Sequence, residues 1–108
     1  MTTLSVARQF SRFPGGRFKR ISDYSGEEFR DDLLLPEIRR GGPVVVDLDG
    51  VVGYGSSFLE EVFGGAVRSM RWPSRDEVDR HLIVKSTRES WRAEANRYID
   101  DELKRVRG

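Results

Sequence analysis

The residues of this chain best suited to chemistry lie in one stretch, VVVDLDGVVGYGSSFLEEVF, from Val44 to Phe63. Asp47 and Asp49 flank Leu48 near its start, and alternate side chains of an extended segment point to one side. Two carboxylates so placed could work as an acid and base or hold magnesium. Neither a nearby histidine nor a second acidic cluster accompanies them, so hydrogen bonding within a loop is their ordinary use. Gly50, Gly53 and Gly55 then lead to Ser56 and Ser57 ahead of an apolar helical pattern. Free N–H groups and the positive end of a helix favour an anion, so a phosphate could dock there, or a phosphoryl group could be attached to either serine. The simpler alternative is that a serine caps the helix, Ser57 pairing with Glu60 three residues on. The glycine spacing has neither the Lys-Ser/Thr ending of a P-loop nor the order of a dinucleotide loop, so it gives nucleotide binding little support.

The rest of the composition narrows the chemistry. The chain has no cysteine and a single histidine, His81. It therefore has no thiol nucleophile, and a thiolate or multi-histidine metal site is not expected. No metal and no cofactor is implied. His81 has no catalytic partner beside it and reads as structural. With 108 residues and 37% hydrophobic content, the chain supports one modest core, hence a single domain over 1–108. An apolar run of the ~18 residues needed for a membrane span is missing, and the start MTTLSVARQF has no signal-peptide core. A cytoplasmic location is the default expectation.

The net charge of +1 hides an uneven distribution, since Arg8, Arg12, Arg17, Lys19 and Arg20 all precede the first acid, Asp23. Such a basic segment could meet nucleic acid, phosphate or an acidic protein face, or it could be a solvated edge that discourages strand-to-strand association. A second basic stretch, Arg68, Arg71, Arg75 and Arg80 around Trp72, is interrupted by Asp76, Glu77 and Asp79.

The elements that must position these groups follow from periodicity and punctuation. Leu4, Val6, Arg8 and Phe10 alternate, Pro14-Gly15-Gly16 marks a turn, and Arg17 to Ile21 resumes in extended character, which predicts a β-hairpin. Ser25 with Glu28 has capping spacing and opens a helix carrying Phe29 and Leu33, with Pro36 at a break or in the first turn of a further helical segment that ends at Gly41-Gly42. Val44 to Leu48 reads as a central strand covered on both faces. The helix after Ser57 carries Phe58, Leu59, Val62, Phe63, Ala66, Val67 and Met70 and closes at Trp72-Pro73. Ser74 with Glu77 caps one short turn before a strand over His81 to Lys85. Ser86 with Glu89 opens a final helix on which Trp91, Ala95, Tyr98, Ile99, Glu102 and Val106 recur. The predicted order is β-β-α-β-α-β-α, an α/β domain with a small mixed sheet of about four strands and helices packed on it.

The segment from Val44 to Phe63 resembles the strand-loop-helix signature of STAS domains, the fold of bacterial anti-sigma factor antagonists. More closely, PGGRF at Pro14 to Phe18, SGEEFRDDLLLP at Ser25 to Pro36 and DLDGVVGYGSSFLEEVFGG at Asp47 to Gly65 resemble a bacterial STAS-like family of unassigned function. That resemblance implies a STAS-like fold and a non-enzymatic regulatory or scaffolding role. In the antagonists the loop serine opening the helix is phosphorylated by a histidine-kinase-like ATPase, and Ser56 occupies that position. Gly55 stands where the antagonists carry an acid, and Phe58 where they carry a glycine. Gly53, Tyr54, Gly55, Ser56, Ser57, Phe58 and Glu61 are then the expected partner-binding residues, with Ser56 and Ser57 the candidate phosphoacceptors. The competing expectation is a nucleotide or nucleic-acid binding module using the basic amino-terminal hairpin.

Overall fold

A computed structural model describes the backbone of residues 1–107 and side chains as far as Arg105. Three strands, β1 (Thr2–Ser5), β2 (Val44–Asp47) and β3 (Leu82–Lys85), form a wholly parallel sheet in the order β1-β2-β3. The triple valine of β2 takes the centre, where β-branched side chains pack well on both neighbours. The expected mixed sheet of four strands is therefore corrected to three parallel ones.

The missing strand is the proposed hairpin. Ser5 Oγ accepts the N–H of Arg8 at 3.2 Å, and Gln9 Oε1 accepts the N–H of Ser5 at 2.6 Å. These contacts end β1 after four residues and start helix α1 (Val6–Gln9), which buries Val6. Pro14-Gly15-Gly16 does turn the chain, but into a closed loop. Gly15 N–H reaches the Tyr24 carbonyl at 2.8 Å, Gly16 N–H reaches Ser22 Oγ at 2.8 Å, and Gly26 N–H reaches the Gly16 carbonyl at 2.9 Å. A Cβ on Gly15 would lie 2.1 Å from Ser22 Oγ, so the loop closes only around glycine.

Helix α2 covers residues 26–39 as Gly26–Glu28, a π-helical stretch Phe29–Leu34, and Leu35–Arg39. Ser25 caps it as expected, accepting the Glu28 N–H at 3.1 Å. Pro36 sits in the first turn of the last of these segments, one of the two places expected for it. The wider turns ahead of it give room to a ring that would press on the carbonyl four residues back. Helix α3 covers residues 56–70, again with a π-helical insert, Glu60–Gly64, and ends with Arg71 in the left-handed conformation at φ 56°. Helix α4 (Arg75–His81) is capped by Ser74, whose Oγ accepts the Glu77 N–H at 3.2 Å, and helix α5 (Glu89–Arg107) follows β3.

Strand order and handedness place the layers. Both crossovers, through α2 and through α3, step the same way along the sheet, so right-handed connections put both helices on one face. That face carries Leu4, Val44, Val46 and Leu82, all buried against Phe29, Phe58, Phe63 and, from α5, Ala95, Ile99 and Leu103. The Val106 position lies outside the described side chains. On the opposite face the aligned triplet is Thr3, Val45 and Ile83, of which only Val45 is buried.

Two of the four serine caps read from spacing are not formed. Gly55, not Ser57, is the N-cap of α3, with no side-chain bond there. Ser86 Oγ accepts the Arg88 N–H at 3.0 Å and donates to Asp49 Oδ1 at 2.7 Å, so α5 starts at Glu89 with the Arg88 carbonyl accepting from Arg92. Both departures free or redirect a hydroxyl near one surface.

Candidate functional site

The loop from Asp47 to Ser57 leaves the carboxyl end of the central strand and is held at almost every step. Asp47 Oδ1 accepts the Asp49 N–H at 3.0 Å. Asp49 takes Ser86 Oγ at 2.7 Å and the Thr87 N–H at 3.0 and 3.1 Å, and these donors, the Ser86 hydroxyl first, hold its carboxyl below the ordinary range. Gly50 takes φ 92°, the left-handed region, and a Cβ there would also touch Ala7 at 3.0 Å. Val52 N–H donates to the Arg12 carbonyl at 2.9 Å, joining this loop to the amino-terminal one.

Tyr54 anchors the far end. Its hydroxyl donates to the Leu48 carbonyl at 2.8 Å, while its ring stacks on Phe58 at 5.6 Å and meets Trp91 edge-on at 4.9 Å. Burial, reinforced by the negative charges of Asp47 and Asp49, pushes its phenol far above the ordinary tyrosine range. Tyr54 is thus a half-buried strut and not an exposed contact.

Beyond that strut the chain surfaces. Gly53, Gly55 and Ser56 are exposed and Ser57 is half-buried, all before α3 enters the core. Two of the expected partner contacts, Phe58 and Glu61, lie inside the fold. Phe58 is buried against Phe29 and Phe10, because its place on the first turn of α3 faces α2. Glu61 is buried as well, and its carboxylate faces inward to arginines.

Those arginines form a network that spacing along the chain does not reveal. Glu61 pairs with Arg30, with Arg17 at 3.1 Å and with Arg68 at 3.7 Å. Glu60 pairs with Arg17 and with Arg68 at 2.8 Å, and Arg68 continues to Glu102 of α5 at 2.6 Å. Burial alone would raise the Glu60 pKa, but hydrogen bonds from Arg68 and Arg17 outweigh it and the net shift is downward. The Arg17 guanidinium is shifted up, first by its bond to Glu60. Gly65 makes room, since a Cβ there would lie 2.5 Å from Arg30 Nη1. The only legible sign was the Glu60-Glu61 doublet, whose partner Arg17 lies 43 and 44 residues away.

The basic amino-terminal residues are consequently divided. Arg17 is engaged with Glu60 and Glu61 and Lys19 with Asp32 at 3.4 Å, whereas Arg8, Arg12 and Arg20 are exposed. In the second basic stretch, Arg68, Arg75 and Arg80 all pair with acids. His81 stacks on Trp72 at 5.5 Å and lies 3.7 Å from Glu77. An open groove of about 610 Å³ lies at the carboxyl ends of β1 and β2, lined by Thr3, Ser5, Arg8, Gln9, Asp47 and Asp49 among others. Among the described residues no group of three or more His, Cys, Asp or Glu side chains is placed to hold a metal ion, and no helix is long and apolar enough to cross a membrane.

These features define a small parallel α/β domain in which a braced loop carries two serines to the start of a core helix. The chain belongs to the family described as STAS-like domain of unknown function (DUF4325), whose pattern matches residues 25–91. That span runs from the Ser25 cap through α3 and β3 to the first turn of α5. No curated protein and no solved structure matched the chain.

Proposed function

We propose that this domain is a non-enzymatic regulatory or scaffolding module that binds a protein partner through the exposed loop from Gly53 to Ser57, with Ser56 as the switchable residue. The observation carrying this reading is the state of the serines: Gly55 caps α3, and no serine side chain is bonded at its cap. Ser56 stands exposed at the start of a helix whose dipole tolerates negative charge. A phosphoryl group there adds about 1.5 to 2 negative charges and three strong acceptors without disturbing a bond that the fold uses. Its effect falls on a bound partner. The resemblance to STAS domains names the partner class, a histidine-kinase-like ATPase. Asp47 and Asp49 act in this reading as loop braces, since Asp49 is filled by Ser86 and Thr87 and Asp47 holds the Asp49 N–H.

The test has two arms. Intact mass of the protein isolated from its native cell should show a species heavier by about 80 Da, abolished by Ser56→Ala. Mixing with the products of neighbouring genes should give a complex that Ser56→Glu weakens or strengthens while melting stays unchanged. Absence of both the added mass and any loop-dependent complex overturns the reading.

A further inference from the structure

The groove at the carboxyl ends of β1 and β2 has about 610 Å³ of open space, within the range of small-molecule sites, and residues 53–57 take no part in it. Thr3, Ser5 and Asp47 enter it from the sheet face opposite the core, and Arg8 and Gln9 enter it from α1. Several of these polar groups are used on one side only. Ser5 Oγ accepts the Arg8 N–H and Gln9 Oε1 accepts the Ser5 N–H. The Ser5 O–H and the Gln9 Nε2 amide therefore remain as donors without an acceptor among the described residues. Asp47 Oδ1 holds the Asp49 N–H, while its Oδ2 has no donor among the described residues. Asp49 differs, since Ser86 and Thr87 fill both of its oxygens.

Two opposite charges line this groove without meeting. Among the described residues, Arg8 and Asp47 lie outside salt-bridge distance of each other and of every other opposite charge. This includes Lys85, the cross-strand neighbour of Asp47. Each charge is thus left for a ligand to match. A guanidinium takes an anionic group with two oxygens, and a carboxylate takes an ammonium. The balance of charge also selects against a polyanion such as a nucleotide, because Asp47 and Asp49 stand beside the single lining arginine and repel phosphates.

We propose that this groove binds a small zwitterion, a free amino acid or a short peptide. Its carboxylate pairs with Arg8 and takes the Gln9 amide and the Ser5 hydroxyl as further donors, and its ammonium pairs with Asp47. This site is separate from the serine loop, and its occupation does not depend on a protein partner or on the state of Ser56.

Ligand-observed NMR with the full chain tests it, using a panel of the common amino acids, dialanine and adenosine monophosphate, with calorimetry on whatever binds. At least one zwitterion should bind with a Kd below about 1 mM. Acetylating its amine or amidating its carboxylate should each weaken binding by about tenfold. Amide spectra of the nitrogen-labelled protein should shift at Ser5, Arg8, Gln9 and Gly50 and stay still at Ser56. Arg8→Gln should weaken the parent ligand about tenfold and leave the amidated form unchanged, and Asp47→Asn should do the same with respect to the acetylated form. Arg8 is exposed and asparagine still offers Oδ1 to the Asp49 N–H, so both variants keep the contacts the fold uses. Circular dichroism melts check this, and if Asp47→Asn melts early, Arg8→Gln and the blocked ligands decide the matter alone. Tighter binding of an amino acid than of dialanine supports the smaller ligand, and the reverse supports a peptide. Four results would each overturn the proposal: no zwitterion bound at about 10 mM, blocked ligands as tight as their parent, indifference to Arg8→Gln, or adenosine monophosphate binding more tightly than every zwitterion.

Discussion

Replacing Glu61 by Gln should destabilise the domain far more than a surface substitution would. The Glu61 side chain is 9% exposed, its Arg30 partner 12%, and Arg17 and Arg68 lie 3.1 and 3.7 Å away. Removing one partner of a buried ion pair costs about 3–5 kcal/mol because the remaining charge is left without compensation. Here compensation is partial: Asp31 still holds Arg30 at 2.8 Å, and Glu60 still holds Arg17 and Arg68. The expected loss is therefore nearer ~2–3 kcal/mol, which for a domain of this size lowers the melting temperature by about 10–20 °C. Urea unfolding followed by circular dichroism measures the first quantity, and a thermal melt the second. The double variant Arg30→Met with Glu61→Leu should recover part of the loss, since an apolar pair of similar volume carries no desolvation penalty. A Glu61→Gln protein within ~0.5 kcal/mol of the parent would refute the reasoning, placing Glu61 in the ordinary surface class. The outcome matters for function, because a Glu61 variant that fails to bind a partner would then be an unfolding effect.

Gly26→Ala should destabilise by about 1–2 kcal/mol in urea: the new Cβ meets the Phe58 carbonyl at 2.7 Å and Glu61 Cβ at 3.0 Å, and this overpacking exceeds the gain of roughly 1 kcal/mol from helix propensity. Gly53→Ala, with nothing within 4 Å, should be neutral in the same experiment. Ser25→Ala should cost about 1 kcal/mol through loss of the cap, and Ser56→Ala less than ~0.5 kcal/mol, read from the same unfolding midpoints. Acid should also weaken the fold. Glu60 has a folded pKa below its ordinary value of 4.5, so its contribution is present above that value and is lost as pH falls through the depressed one. Melting temperature should fall steeply below about pH 4.5, and less steeply in Glu60→Gln.

Local patterns along the chain were enough for several elements. The β-branched run Val44 to Val46 needs strand neighbours on both sides, and it takes the central position. Ser25 and Ser74 cap their helices because the hydroxyl and its N–H lie three residues apart, with nothing else competing for either. The family match over residues 25–91 spans these stretches. Alternation over Leu4 to Phe10 suggested a longer strand. The Ser5 and Gln9 side chains decide instead for a helical turn, an interaction four residues long that alternation cannot report.

What tertiary structure alone decided concerns the candidate site most. Ser86 turns to Asp49, 37 residues away, and so leaves α5 without its expected cap. Phe58 and Glu61 follow the exposed loop closely in sequence, yet the crossing of α3 over α2 buries both, one among aromatic rings and the other among arginines. Gly55 starts that helix and leaves the Ser56 hydroxyl outside its cap, a choice that depends on where Tyr54 is pinned to the Leu48 carbonyl and Trp91. Residue types and spacing thus determined an α/β frame and the strand-loop-helix at its centre, while the all-parallel pairing of three strands came from the fold. Packing between distant segments decided which of the loop's side chains face water, because burial and ion pairing are properties of neighbours in space and not in sequence.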